Sequence, residues 1–206
     1  MKNKNLKGLY AITSSNLKDE ALLKKIRELL ELGINIVQFR DKIHEFDKKL
    51  ILAKKIKKIC ENFNSIFIVN DDPLLAKEAK ADGVHIGQDD ITYNEAREIL
   101  GPNSIIGISC QNDLNLALNA ESLGANYVSF GSVFNTTTKK NTVRCSISQL
   151  KSLASSINLP SVAIGGINKT NLQEVKSTVD MYAISSGLFE ENSLEEIIEL
   201  VKNLKN

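Results

Sequence analysis

Cysteine is scarce in this 206-residue chain, and its three copies, Cys60, Cys110 and Cys145, form no pattern. Their number is odd and no two have metal-ligand spacing. That excludes a disulfide framework and a zinc site, and it fits reduced thiols in a cytoplasmic protein. A surplus of charge is also missing: 26 lysines and arginines stand against 25 aspartates and glutamates. Nothing in that balance attracts nucleic acid or an anionic membrane, so any anion must be held by a local cluster. Long apolar runs are lacking too. The opening MKNKNLK is basic, but no apolar stretch follows it, which argues against a signal peptide or a membrane span. Finally, the turn after the first apolar run, AITSSN, has no glycine. A dinucleotide-binding sheet would carry its phosphate fingerprint there.

What is present is alternation. Short runs rich in Ile, Val, Tyr and Phe read as strands at about 8–13, 35–40, 65–70, 83–87, 104–109, 126–133, 161–167 and 181–186. Amphipathic runs lie between them. EALLKKIRELLELG has apolar residues at helical spacing and stops on Gly33. Eight strand–helix units in about two hundred residues fit a compact (β/α)8 TIM barrel, one α/β domain over 1–206. The near-continuous apolar strands suit a parallel sheet covered by helices.

A barrel places its chemistry at the C-terminal strand ends, so each end becomes a test. The second strand ends in VQFRDK, where Gln38, Arg40 and Lys42 alternate with Val37 and Phe39. Extended backbone points the first three one way, into the barrel mouth, where an amide and two cations suit a polyanion. The third strand ends in NDD, with Asn70, Asp71 and Asp72, and the fourth in GQDD, with Asp89 and Asp90. Two readings stand for these carboxylates. Asp72 and Asp90 are placed to cap the helices that follow. Carboxylates on neighbouring strands also repel one another unless a cation joins them, and oxygen ligands alone suit Mg2+. His85, between Val84 and Ile86, reads as a satisfied core residue. Cys110, near Ser109 at the fifth strand end, reads as a packed thiol.

The sixth strand leads into NTTTKKNT, a loop that is either solvated or anion-binding, with Thr136, Thr138 and Lys139 at the mouth. The seventh and eighth strands end in AIGGI and AISSG. Glycine lets a backbone approach an anion and offer N–H groups, and barrels often hold phosphate at these two loops. Gly165, Gly166, Ser185 and Ser186 lie there. The residues alone thus point to two anion sites, with the carboxylates beside one of them open to either reading, metal ligands or helix caps.

Taken in order, VQFRDK, NDD, GVHIGQDD, GISCQN, TTTK and AIGGI resemble thiamine-phosphate synthase over essentially the whole chain. The resemblance implies a (β/α)8 barrel that condenses 4-amino-2-methyl-5-hydroxymethylpyrimidine diphosphate with a thiazole phosphate, carboxylated or not. It implies thiamine phosphate and diphosphate as products, and Mg2+ as cofactor. It assigns Gln38, Arg40, Lys42, Asn70 and Ser109 to the pyrimidine diphosphate, and Asp71 and Asp90 to the metal. Thr136, Thr138, Gly166, Ser185 and Ser186 go to the thiazole phosphate, and Lys139 to the diphosphate. The implied route is dissociative, with Arg40, Lys42 and Lys139 stabilising the leaving group.

Three positions depart from the family pattern. Asp72 stands where arginine is usual, Thr142 where alanine is common, and no glycine occurs between Lys139 and Gly165. The expected partners are small molecules, not nucleic acid or membrane, and a homo-oligomer is left open. The rival functions are a thiazole tautomerase of the same fold, a phosphosugar isomerase or aldolase, and a ligand-sensing barrel without turnover.

Overall fold

In the computed structural model, residues 5–135 and 144–189 are described. Eight parallel strands close into a barrel in chain order. They are β1 Gly8–Ile12, β2 Ile36–Phe39, β3 Ile66–Asn70, β4 Gly83–Ile86, β5 Ile105–Ser109, β6 Tyr127–Phe130, β7 Ser161–Ile164 and β8 Met181–Ile184. A helix follows each: α1 Asp19–Glu31, α2 Phe46–Asn62, α3 Pro73–Glu78, α4 Tyr93–Leu100, α5 Leu114–Leu123, α6 Ile147–Ser155, α7 Leu172–Lys176 and α8 Ser186–Phe189. The (β/α)8 expectation therefore holds.

Strand alternation splits the apolar residues into two cores. Leu9, Val37, Phe67, Val84, Ile106 and Val128 face outward and pack under the helices, for example against Leu22, Ile26, Leu29 and Leu30 of α1. Those four positions recur at helical spacing. Burying each is worth about 1.5–3 kcal/mol, so α1 is held by its inner stripe more than by propensity. Tyr10, Ile12, Ile36, Ile66, Ile68, Tyr127, Val162 and Met181 face inward and fill the barrel. The strands are apolar on both faces because both faces are buried.

Side-chain caps start several helices. Asp72 accepts from the Leu75 N–H at 2.8 Å, with Pro73 in the first turn of α3. Thr92 and Glu95 form a reciprocal capping box on α4, and Ser146 and Gln149 form one on α6. The cap of α4 is thus Thr92 and not Asp90, which leaves Asp90 to the loop after β4. Strands β6 and β7 end at Phe130 and Ile164, earlier than their apolar runs suggest. In β7 the cause is backbone: Gly165 and Gly166 turn the chain away with φ of +104° and +63°.

Candidate active site

A cavity of about 420 Å3 opens at the C-terminal strand ends. Its wall includes Gln38, Arg40, Lys42, Asn70, Asp71 and Asp90, and also Ser109, Gly165, Gly166, Ser185 and Ser186. Eleven of the residues expected at the mouth therefore surround one space. Thr136, Thr138 and Lys139 lie outside the described residues, as does Thr142.

The cationic side is built by the loop after β2. The Arg40 N–H donates to Thr13 Oγ1 at 2.9 Å, and the Thr13 hydroxyl donates back to the Arg40 carbonyl at 3.2 Å. The Lys42 N–H donates to Ser15 Oγ at 3.4 Å. Between them, Asp41 accepts from the Ile43 and His44 N–H groups at 2.9 and 3.1 Å and pairs with His44 Nδ1 at 2.7 Å. Burial works to raise the Asp41 carboxyl. The hydrogen bonds from the His44 ring and the two N–H groups outweigh it, leaving the group below its ordinary value. Asp41 thereby folds the loop that carries Arg40 and Lys42.

The anionic side comes from the next two strands. Asp71 adopts a left-handed φ of +64°, which costs about 1–2 kcal/mol for a non-glycine residue. Its N–H is fixed to the His85 carbonyl at 2.8 Å, and its carboxylate forms an ion pair with Lys42. Asp90 accepts from the Gly87 N–H at 2.7 Å. Partial desolvation raises the Asp90 carboxyl above its ordinary value. The Gly87 N–H and the Lys42 charge oppose that rise, and the neighbouring Asp71 carboxyl adds to it. The two aspartates are therefore electrostatic neighbours that both feel the charge of Lys42.

The opposite wall is glycine and serine. A Cβ on Gly166 would lie 2.2 Å from the Asn135 carbonyl oxygen, so the loop after β7 can pack on the loop after β6 only with glycine there. The Phe134 N–H donates to the Gly165 carbonyl at 2.9 Å, and Asn171 Nδ2 donates to the Gly166 carbonyl at 2.9 Å. Ser185 and Ser186 begin the turn into α8, where the Ser185 carbonyl accepts from Leu188 at 2.9 Å.

The described wall of the cavity offers no good nucleophile. Cys110 is buried, and burial, with Asp113 nearby, pushes its thiol up to about 12. It is a packed thiol, as its sequence setting suggests. His85 is buried and hydrogen-bonded as expected, yet it also lines the cavity with Ser129. Sequence reading missed Ser129, Gln111 and Ser132. Counting by two from Tyr127 would have found Ser129, whereas Gln111 and Ser132 sit in loops with no periodic signal.

The model of the family described as thiamine monophosphate synthase matches residues 9–188. The chain belongs to the thiamine monophosphate synthase family. The thiamine-phosphate synthase of Nitrosococcus oceani is 40% identical over 192 residues, covering 92% of this chain and 88% of its own. That of Thioalkalivibrio sulfidiphilus is 39% identical over 186 residues, covering 89% and 88%. The solved thiamine phosphate pyrophosphorylase of Pyrococcus furiosus superposes with a TM-score of 0.86 at 34% identity over 98% of both chains. Membership in the thiamine monophosphate synthase family makes the chain a transferase of thiamine biosynthesis. Among the described residues, no helix is long and apolar enough to cross a membrane.

Proposed function

We propose that the chain joins 4-amino-2-methyl-5-hydroxymethylpyrimidine diphosphate to 4-methyl-5-(2-phosphoethyl)thiazole, carboxylated or not, releasing thiamine phosphate and diphosphate, and CO2 from the carboxylated form, with the help of Mg2+. The supporting observation is one cavity with cations and paired carboxylates on one side and a glycine–serine wall on the other. Such a cavity suits two phosphorylated substrates held head to head.

The bond that breaks joins the pyrimidine methylene carbon to the diphosphate oxygen, and its electron pair leaves with diphosphate. The thiazole nitrogen lone pair then forms the new C–N bond. With the uncarboxylated thiazole no proton need move, which agrees with the lack of a convincing base or nucleophile along the described wall; the carboxylated form also loses CO2 and takes a proton from water at the vacated ring carbon. Arg40 and Lys42 stand where charge grows on the leaving group, and Lys139 joins them in this reading. Gln38, Asn70 and Ser109 hold the pyrimidine side. Gly166, Ser185, Ser186, Thr136 and Thr138 hold the thiazole phosphate. Holding the two rings in line supplies the rest.

The donor set fits Mg2+. Among the described residues no group of three or more His, Cys, Asp or Glu side chains forms a cage. Mg2+ is commonly held by one or two carboxylates plus substrate phosphate and water, and Asp71 and Asp90 are such a pair. The bound ion would neutralise charge on the diphosphate. Asp72 spends its carboxylate on the α3 cap, so its replacement of the usual arginine has a structural use and lends no support to a sensor without turnover.

The test is incubation with both substrates in Mg2+ or in excess chelator, with thiamine phosphate measured by chromatography. Formation should require Mg2+, and Asp71→Ala should cut it at least about a hundredfold, the loss of several kcal/mol of charge stabilisation. Turnover indifferent to the chelator would overturn the metal assignment.

A further inference from the structure

The floor of the cavity carries a hydrogen-bond chain that the bond-making steps do not use. Gln38 Nε2 donates to Tyr10 Oη at 2.7 Å, and Tyr10 Oη meets Tyr127 Oη at 2.8 Å. Tyr127 Oη lies 3.1 Å from His85 Nδ1, and His85 Nε2 lies 3.4 Å from Ser129 Oγ. Direction passes along such a chain. Tyr10 accepts the amide hydrogen, and of the two directions open between the phenols, donation from Tyr10 to Tyr127 is the one that continues the chain. Donation from Tyr127 to His85 Nδ1 carries the chain one step further and requires the imidazole hydrogen on Nε2. Burial pushes both phenols above their ordinary values, so each hydroxyl keeps the hydrogen it must donate.

The fold makes room for this chain. In register, His85 pairs with Gly107 and Gly107 with Tyr127. Tyr127 must therefore cross β5 to reach β4. It does so over Gly107, where a Cβ would lie 2.0 Å from the Tyr127 ring carbon Cζ. The ring then stacks on His85 at 5.5 Å between centroids and 14° between planes. A glycine inside a strand, at the one point where another side chain must pass, marks a close approach.

We propose that Tyr127 is a positioning residue: it fixes His85 as the neutral imidazole protonated at Nε2, and His85 in turn directs the Ser129 hydroxyl hydrogen into the cavity as a donor for a ring nitrogen of the heterocyclic substrate. The identity of that substrate rests on the function proposed above. A donor at the floor accepts an aromatic nitrogen lone pair and rejects a ring that presents C–H or N–H there.

The chain has two histidines, His44 and His85, so histidine-selective 15N labelling of the full protein gives two rings to read. A His44→Gln variant tells them apart. Long-range proton–nitrogen correlation should show His85 with a protonated Nε2 and a bare Nδ1. In Tyr127→Phe, which keeps the ring but not the hydroxyl, both tautomers should appear. Calorimetry with the pyrimidine diphosphate should then show affinity weakened about tenfold in Tyr127→Phe and in Ser129→Ala, the size of one misdirected hydrogen bond. Should Tyr127→Phe not fold, the wild-type tautomer and the Ser129→Ala affinity decide. His85 protonated at Nδ1 in the wild type would overturn the proposal, and so would unchanged affinity in Ser129→Ala. A chain that shows the Nε2 tautomer and binds the pyrimidine diphosphate but forms no thiamine phosphate overturns the proposed function and leaves the relay standing.

Discussion

Gly107 and Asp41 show how single residues in this barrel serve the site without touching a substrate. Gly107 is empty so that Tyr127 can cross the strand, and a methyl group there would overlap the ring. Gly107→Ala should lower stability by about 1–3 kcal/mol in urea unfolding, the usual cost of overpacking, and should disturb the His85 tautomer with it. Asp41 acts through the loop of Arg40 and Lys42. Its carboxyl is depressed in the folded chain, so the ionised form favours folding. That contribution is fully present above the unfolded value of about 3.9 and is lost as pH falls through the lower folded value. Asp41→Ala should therefore cost about 1–2 kcal/mol at pH 7, and the gap from the wild type should narrow in acid. Unfolding curves at pH 7 and pH 3 check the sign.

At the scale of the element, the clearest case is the segment running from β3 into α3. Asp72 caps α3 through the Leu75 N–H. Asp72→Ala should lose about 1 kcal/mol, while Asp72→Asn, which can still accept that hydrogen, should lose only a few tenths. Thermal unfolding of the two variants separates a capping role from a charge role. The strands were legible because both their faces are buried, so the apolar runs mark them to within a residue or two over most of the barrel. The ends of β6 and β7 were less legible. Val133 and Ile167 are buried and apolar, yet they lie past the strands, since burial alone cannot tell a strand from a buried loop. Asp90 and Thr92 teach the same lesson about caps. Both are good capping residues two positions apart, and only the reciprocal bond with Glu95 selects Thr92.

For the whole molecule, closure of the barrel gathers residues that are far apart in sequence. Gln38, Asp71, Asp90 and Gly166 share a cavity because every parallel strand delivers its C-terminal end to the same face. Order along the chain was enough to foresee that gathering. The Gln38-to-Ser129 relay was not foreseeable, because it depends on which inward residues sit level across non-adjacent strands. Arg40→Ala should reduce condensation by about a hundredfold or more with folding intact, because it removes a cation placed for the leaving group. Circular dichroism alongside the rate measurement would establish that separation.

In the proposed function this cavity makes a carbon–nitrogen bond between two phosphorylated heterocycles. The most direct measurement is 31P NMR of the purified chain with the pyrimidine diphosphate, the thiazole phosphate and Mg2+. Diphosphate and thiamine phosphate should appear in equal amounts as both substrates disappear. Diphosphate released without thiamine phosphate, or no change in either substrate, would contradict the proposed function.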